Sequence, residues 1–218
     1  MSLKRNKSII ISYKVLRRFI GILGMALPVV LIAGGFLQKG NGIQGSLSSY
    51  YHTNMQDVFV GILWAVGIFL ISYKGYDPLD NWITNLSGLF AIGVALFPTT
   101  AGPGNSNLLG VFQLKPEISG TLHLVWAFLF FFLLAFNAFF LFTKTGDTTP
   151  GPQKIKRNRV YRICGVLIMM SLAGIMVYML FLQKTVLRNW APVLILEILA
   201  LWAFGFSWLV KGETLFKD

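Results

Sequence analysis

Two histidines and one isolated acid are the groups in this chain best placed to do chemistry. His52 sits in the stretch Ser46-Leu47-Ser48-Ser49-Tyr50-Tyr51-His52-Thr53, with Asp57 five residues on. His123 is the only other imidazole. Glu197 lies in an apolar run where its helical neighbours, Val193, Leu194, Ala200 and Leu201, offer nothing to neutralise it. An acid in that setting must be protonated, paired across helices, or facing water. Glu197 is therefore the strongest single functional signal, with a neutral acid hydrogen-bonded for packing as the plainer reading. Thr53 and Gln56 have the spacing of a capping box, which makes Thr53 an N-cap and brings N′ His52 towards N4 Asp57. The plainer reading leaves Asp57 favouring the positive helix end and His52 among lipid headgroups.

The elements that must position these groups are membrane helices. Of 218 residues, 55% are hydrophobic and only 12% charged, with a mean hydropathy of +0.66. That is about half the charge of a soluble domain, which excludes an ordinary soluble enzyme, a disordered tail and a nucleic-acid reader. Crossing a bilayer takes about 20 predominantly apolar residues. Six stretches qualify, near residues 19–37, 54–73, 78–96, 120–143, 160–182 and 190–210. They predict an all-α fold: a polytopic bundle of six transmembrane helices in a single domain, residues 1–218. The first apolar run is too long for a signal-peptide core and lacks a cleavage site after it, so it reads as an uncleaved span.

The net charge of +11 fits this arrangement. With the N-terminus inside, 15 of the 19 Lys and Arg fall on the cytoplasmic side; Lys39, Lys115, Lys184 and Arg188 fall outside. This is the positive-inside asymmetry, and it puts both termini in the cytoplasm. Anionic lipid headgroups then account for the basic excess without a nucleic-acid partner. The lone Cys164 excludes a disulfide framework or a thiolate metal cluster.

Helix-end signals refine the spans. Asp77-Pro78 is an N-cap acid before a first-turn proline. Ser119-Gly120 and Asn189-Trp190 predict caps for the fourth and sixth spans. Lys74-Gly75 and Lys211-Gly212 predict C-terminal cations before C′ glycines. Pro28 predicts a kink in the first span. Ser87, Ala91 and Ala95 form a small-residue stripe for close packing on the third span. The phenylalanines between 128 and 142, and Met169, Met170, Met176 and Met179, read as packing and lipid-facing bulk.

On this layout His52, Asp57, His123 and Glu197 come from three spans and lie at one depth, in the outer half of the membrane. Asn85, Ser87 and Asn137 fall in the inner half. One polar site opening outward is the expectation, covered by the connections 38–53 and 97–119. Within the second, residues 101–110 read as mobile.

The Ser48-x-x-x-His52 spacing at a membrane boundary, with Asp57 nearby, resembles the ceramidase-like multi-pass hydrolases, which include alkaline ceramidases and the progestin and adipoQ receptors. The resemblance implies a zinc-dependent lipid amide or ester hydrolase. This chain departs from that family in having two histidines, Ala127 where a His-x-x-x-His partner of His123 would fall, and six spans instead of seven. The zinc would then rest on His52, His123 and Glu197, with Asp57 as an alternative third ligand. Asp57, Ser48 and Tyr51 would be the catalytic groups, Ser48 or Tyr51 binding the oxyanion. More broadly, the Ser-x-Ser-x-Tyr-Tyr-His-Thr stretch and the following Asp-Val-Phe-Val-Gly look like those of uncharacterised bacterial six-span membrane proteins. That likeness covers the second and third spans, implies the inner (plasma) membrane of a bacterium, and carries no activity.

Three functions follow as expectations: a metal-dependent hydrolase of lipid or lipid-linked substrates, a non-catalytic protein binding lipid or a partner, and a proton-coupled transporter working through Glu197. The transporter is the least favoured, since the two halves show no internal likeness.

Overall fold

The computed structural model of the chain describes residues 2–37, 42–101, 107–145 and 149–216, with side chains from residue 13 onward. Of the 101–110 stretch, residues 102–106 lie outside the described residues, as do 38–41 in the earlier connection. Six α-helices make up the described fold: α1 (Ser2–Leu37), α2 (Gln56–Ser72), α3 (Pro78–Leu96), α4 (Pro116–Phe136), α5 (Pro152–Val177) and α6 (Pro192–Lys211). No strand occurs among the described residues beyond an isolated bridge between Leu109 and Leu114. Four helical segments are long and apolar enough to cross a bilayer: Tyr13–Leu37, Pro116–Leu141, Pro152–Leu182 and Pro192–Lys211. α2 is apolar but 17 residues long. α3 has 19 residues and carries Asp80, Asn81, Thr84, Asn85 and Ser87. The protein is thus an all-helical bundle of integral-membrane type, and the large apolar side chains left exposed along its helices form the surface that lipid would cover.

The helices pack in sequence order as a closed ring. Each touches the next, and α6 closes the ring against α1. Small residues permit these approaches. A Cβ on Gly88 of α3 would stand 2.5 Å from the Gly67 carbonyl oxygen of α2, and one on Gly205 of α6 would stand 2.6 Å from that of Gly21 in α1. Such backbone contacts let helices associate where lipid removes the hydrophobic drive. The expected small-residue stripe on α3 is buried at Ser87, Ala91 and Ala95. Pro28 is housed inside the unbroken α1.

Several helix ends differ from the sequence reading. α4 begins at Pro116, with Lys115 as its N-cap, so Ser119 is a helical residue facing inward instead of a cap. α6 begins at Pro192 after Ala191, which adopts φ 47°, ψ 55°, and Asn189 lies in the preceding 3₁₀ turn. A proline preset to helical φ serves as N1 in both cases and outweighs the polar residue nearby. α4 and α5 each run on into a π turn, Asn137–Leu141 and Tyr178–Leu182. Lys74-Gly75 falls beyond the end of α2, in the turn to α3, where the Gly75 amide donates to Asn81 Oδ1 at 2.7 Å. Gly212 does cap α6, but at φ −78° instead of in the left-handed region. Asp77 caps α3 as expected, accepting from the Asp80 amide at 3.0 Å.

One end of the ring is basic. Arg17 Nη1 and Arg18 Nε donate to the carbonyls of Lys211 and Gly212, tying the middle of α1 to the end of α6. Lys144 Nζ lies 2.6 Å from Asp77 Oδ2 and 2.7 Å from Asp80 Oδ1, tying the end of α4 to the start of α3. The Lys144 hydrogen bond, helped by the Asp80 amide, holds the Asp77 carboxyl below its usual range. Burial opposes the Lys144 charge, but the two carboxylates more than offset it and its pKa rises.

Candidate functional site

At the opposite end, α3 stops because Pro98 forces Phe97 into an extended conformation (φ −107°, ψ 94°). The carbonyls of 97, 98 and 99 then leave the helix ladder and need other partners. All three find side chains. His123 Nδ1 lies 2.7 Å from Phe97 O, Ser119 Oγ donates to Pro98 O at 2.7 Å, and His52 Nε2 lies 2.8 Å from Thr99 O. Ser119 and His123 are i and i+4 on α4, so one face of that helix holds both bonds. Gly120 between them lets Thr100 approach, since a Cβ there would stand 2.5 Å from the Thr100 methyl.

The segment before α2 is fixed with equal definition. Ser46 Oγ and Ser49 Oγ are 2.7 Å apart, and the Ser49 amide donates to Ser46 Oγ at 3.1 Å, starting a 3₁₀ turn over Ser48–His52. Leu47 and Tyr50 are buried and anchor it. The Leu194 amide, in the unsatisfied first turn of α6, donates to Gly45 O at 3.2 Å. One turn further along α6, Glu197 Oε2 accepts from the Leu47 amide at 2.5 Å, and Oε1 lies 3.4 Å from Ser48 Oγ.

The bond that joins these two halves is His123 Nε2 to Ser48 Oγ, 2.8 Å. A continuous chain results: Leu47 N–H, Glu197, Ser48, His123, Phe97 O. With Nδ1–H donating to the Phe97 carbonyl, His123 is the tautomer whose Nε2 lone pair faces the Ser48 hydroxyl. A serine hydroxyl on a bare imidazole nitrogen, with the other ring nitrogen oriented by an acceptor, is the arrangement that activates a nucleophile. His123 is buried, whereas Ser48 remains partly exposed.

Ser48, His123 and Glu197 line the head of a cleft of about 750 Å³. Ser46, Ser49, Thr99 and Thr100 add polar groups at that head, Phe128, Phe131, Met176, Met179 and Val193 make much of the remaining wall apolar, and Gln183 and Arg188 also line it. Such a cleft suits an amphipathic ligand with its polar group at the serine and its chain along α4, α5 and α6.

The remaining expected site residues stand apart from this chain. His52 is exposed, edge-on to Tyr51 at 5.4 Å between ring centroids. Asp57 is exposed in the first turn of α2 and makes no ion pair with His52. The capping box does not form: Met55 is the N-cap of α2, and Thr53 Oγ1 instead donates to Tyr50 O and accepts from the Met55 amide. The 3₁₀ turn takes up the residues a capping box would have used, and it turns His52 towards Thr99. Zinc on His52, His123 and Glu197 would take His123 Nε2 from Ser48, while His52, bonded to Thr99 through Nε2, would offer Nδ1. Among the described residues no three His, Cys, Asp or Glu side chains gather as a ligand set.

Sequence reasoning missed the carbonyls of 97–99, the two threonines, and the methionine wall of the cleft. Pro98 was the available signal, since a proline just past an apolar helix releases carbonyls that polar side chains must then satisfy. The chain matches no protein-family model, no curated protein and no solved structure.

Proposed function

We propose that this protein is a membrane hydrolase that cleaves an acyl ester or amide of a lipid or lipid-linked substrate, with Ser48 as nucleophile and His123 as general base. The observation that carries the reading is the 2.8 Å contact from His123 Nε2 to Ser48 Oγ at the head of an apolar cleft. Ser48 Oγ attacks the carbonyl carbon while its proton passes to His123 Nε2. The bond to the leaving group breaks, and that group takes the proton from His123. Water then attacks the acyl-Ser48 ester, giving one proton to His123, which returns it to the Ser48 oxygen as the free acid departs. Glu197, in its neutral form, is the donor within reach of the developing oxyanion.

The same reading includes six spans, with both termini in the cytoplasm and the cleft facing outward. Supporting it are the 15 to 4 division of Lys and Arg and the gathering of Arg17, Arg18, Lys144 and Lys211 at the end away from Ser48.

A second reading, lipid binding without turnover, is favoured by the way Ser48 Oγ is shared between His123 and Glu197. Protein reconstituted in vesicles and supplied with fluorogenic acyl esters and acyl amides separates the two. The hydrolase reading expects turnover that falls on the order of 10³-fold or more in Ser48→Ala. Turnover unchanged in Ser48→Ala refutes it. Binding of acyl lipid without turnover supports the second reading. Elemental analysis under chelator-free conditions covers the third case: stoichiometric zinc, lost in His123→Ala, would replace the serine mechanism with a metal one.

A further inference from the structure

We propose that the lipid taken by the Ser48 cleft is a glycerophospholipid, with its ester carbonyl at Ser48 and its phosphate on Arg188. The proposal rests on the reading of that cleft as an acyl-lipid site, which the hydrolase and binding readings share. Among the described residues that line the cleft, Arg188 is the only Lys or Arg. It belongs to the 3₁₀ turn Val186–Trp190, in the connection from α5 to α6. The turn is held by its own backbone: the Arg188 amide donates to Thr185 O at 3.2 Å, and the Ala191 amide to Arg188 O at 3.3 Å. A guanidinium takes a phosphate through paired N–H donors, a geometric match that a lysine ammonium lacks.

Position along the bundle sets the length of the ligand. Glu197, 3.4 Å from Ser48 Oγ, lies five residues past Pro192, the first residue of α6, hence about 7–8 Å along the helix axis. Arg188 stands beyond that helix start. The phosphate of a glycerophospholipid lies a few bonds beyond its ester carbonyls, so a molecule with its carbonyl at Ser48 carries its phosphate towards Arg188. The side chains of the turn belong to a headgroup layer: Val186 and Trp190 are 80% and 73% exposed at the end of an apolar bundle. Tryptophan at that level marks the boundary between lipid and water. Below it the cleft is open to the side. Leu124, Phe128, Met176 and Leu180 line it, and all four are exposed. An acyl chain can therefore pass from the bilayer into the cleft between α4 and α5 without its headgroup leaving the interface.

Native mass spectrometry of the detergent-purified protein, titrated with phosphatidylglycerol or with diacylglycerol of the same chains, tests the assignment. The protein carries Ser48→Ala, so that turnover does not consume the probes. Phosphatidylglycerol should bind on the order of 10-fold more tightly than diacylglycerol. In that background the preference should disappear on Arg188→Gln. It should persist on Lys184→Gln, which removes an exposed cation of the same connection outside the cleft lining. Val193→Trp, which fills the cleft, should weaken the binding of phosphatidylglycerol. Equal binding of the two lipids, a preference unchanged by Arg188→Gln, or binding unchanged by Val193→Trp overturns the proposal. Loss of the preference on Lys184→Gln also overturns it, by showing that bulk charge is responsible. Hydrolysis is scored separately with Ser48 intact and both lipids in vesicles, where water would split phosphatidylglycerol into a free fatty acid and a lysolipid. Preference without turnover refutes the hydrolase reading and leaves the Arg188 assignment standing; turnover without preference refutes the assignment alone.

Discussion

Ser48 depends on residues far from it in sequence: His123 is 75 positions away and Glu197 is 149. Their depth could be counted from helix length, which is why Glu197 and His123 stood out from the chain alone. Their meeting could not, because it depends on ring order and on a 3₁₀ turn that local capping rules do not foresee. His52 illustrates the difference. Thr-x-x-Gln spacing pointed it at Asp57, whereas the extended segment after Pro98 offers the Thr99 carbonyl at 2.8 Å. The neighbouring Tyr50 gives a prediction at this scale. Its ring is fully buried but its hydroxyl has no partner among the described residues. Tyr50→Phe should therefore leave the 3₁₀ turn intact and change stability by no more than about 1 kcal/mol, in the favourable direction. Chemical or thermal unfolding checks it, and a marked loss would reveal a bond to that hydroxyl.

Helix type and rough position were legible because apolar runs of this length have one economical conformation in lipid. Exact ends were less so, since Pro116 and Pro192 start helices that Ser119 and Asn189 seemed to cap. The contacts between helices rest on glycines whose partners only the packed ring reveals. Gly88→Val puts methyl groups against the Gly67 backbone and should destabilise the α2–α3 pair by about 1–3 kcal/mol. A Cβ on Gly61 of α2 would meet nothing within 4 Å, so Gly61→Ala should be nearly neutral in the same unfolding assay.

The Lys144 clamp between α3 and α4 predicts a pH window. Asp77 has its pKa lowered from 3.8, so its contribution is present above that value and is lost as pH falls through the lower folded value. Lys144 has its pKa raised from 10.5, so its contribution is present below 10.5 and is lost as pH rises through the higher folded value. Stability should be flat between these limits and fall at both edges. Lys144→Met should lower it in between and should blunt both edges. A wild-type profile identical to that of the variant would contradict the clamp.

For the whole molecule, the division of positive charge anticipated two chemically different ends, and the ring of helices has them: cations and their carbonyl partners at one, Ser48, His123 and Glu197 at the other. Composition could not reveal that the basic end borders a cavity, because burial of Lys211 depends on Tyr76 from the turn between α2 and α3 and on Phe142 just past the π turn that follows α4. Sidedness is open to a direct test because Cys164 is the only cysteine. In a Cys164→Ala background, Glu117→Cys should react with an impermeant thiol reagent added to intact cells. Lys74→Cys should react only after the cells are opened; the reverse pattern would invert the topology. The central claim concerns the serine, and it is tested most directly by intact-mass measurement of the detergent-purified protein after treatment with a fluorophosphonate. The account predicts a single adduct on Ser48, formed at least about 100-fold more slowly in His123→Ala. No adduct on Ser48, or labelling at the same rate without His123, would contradict it.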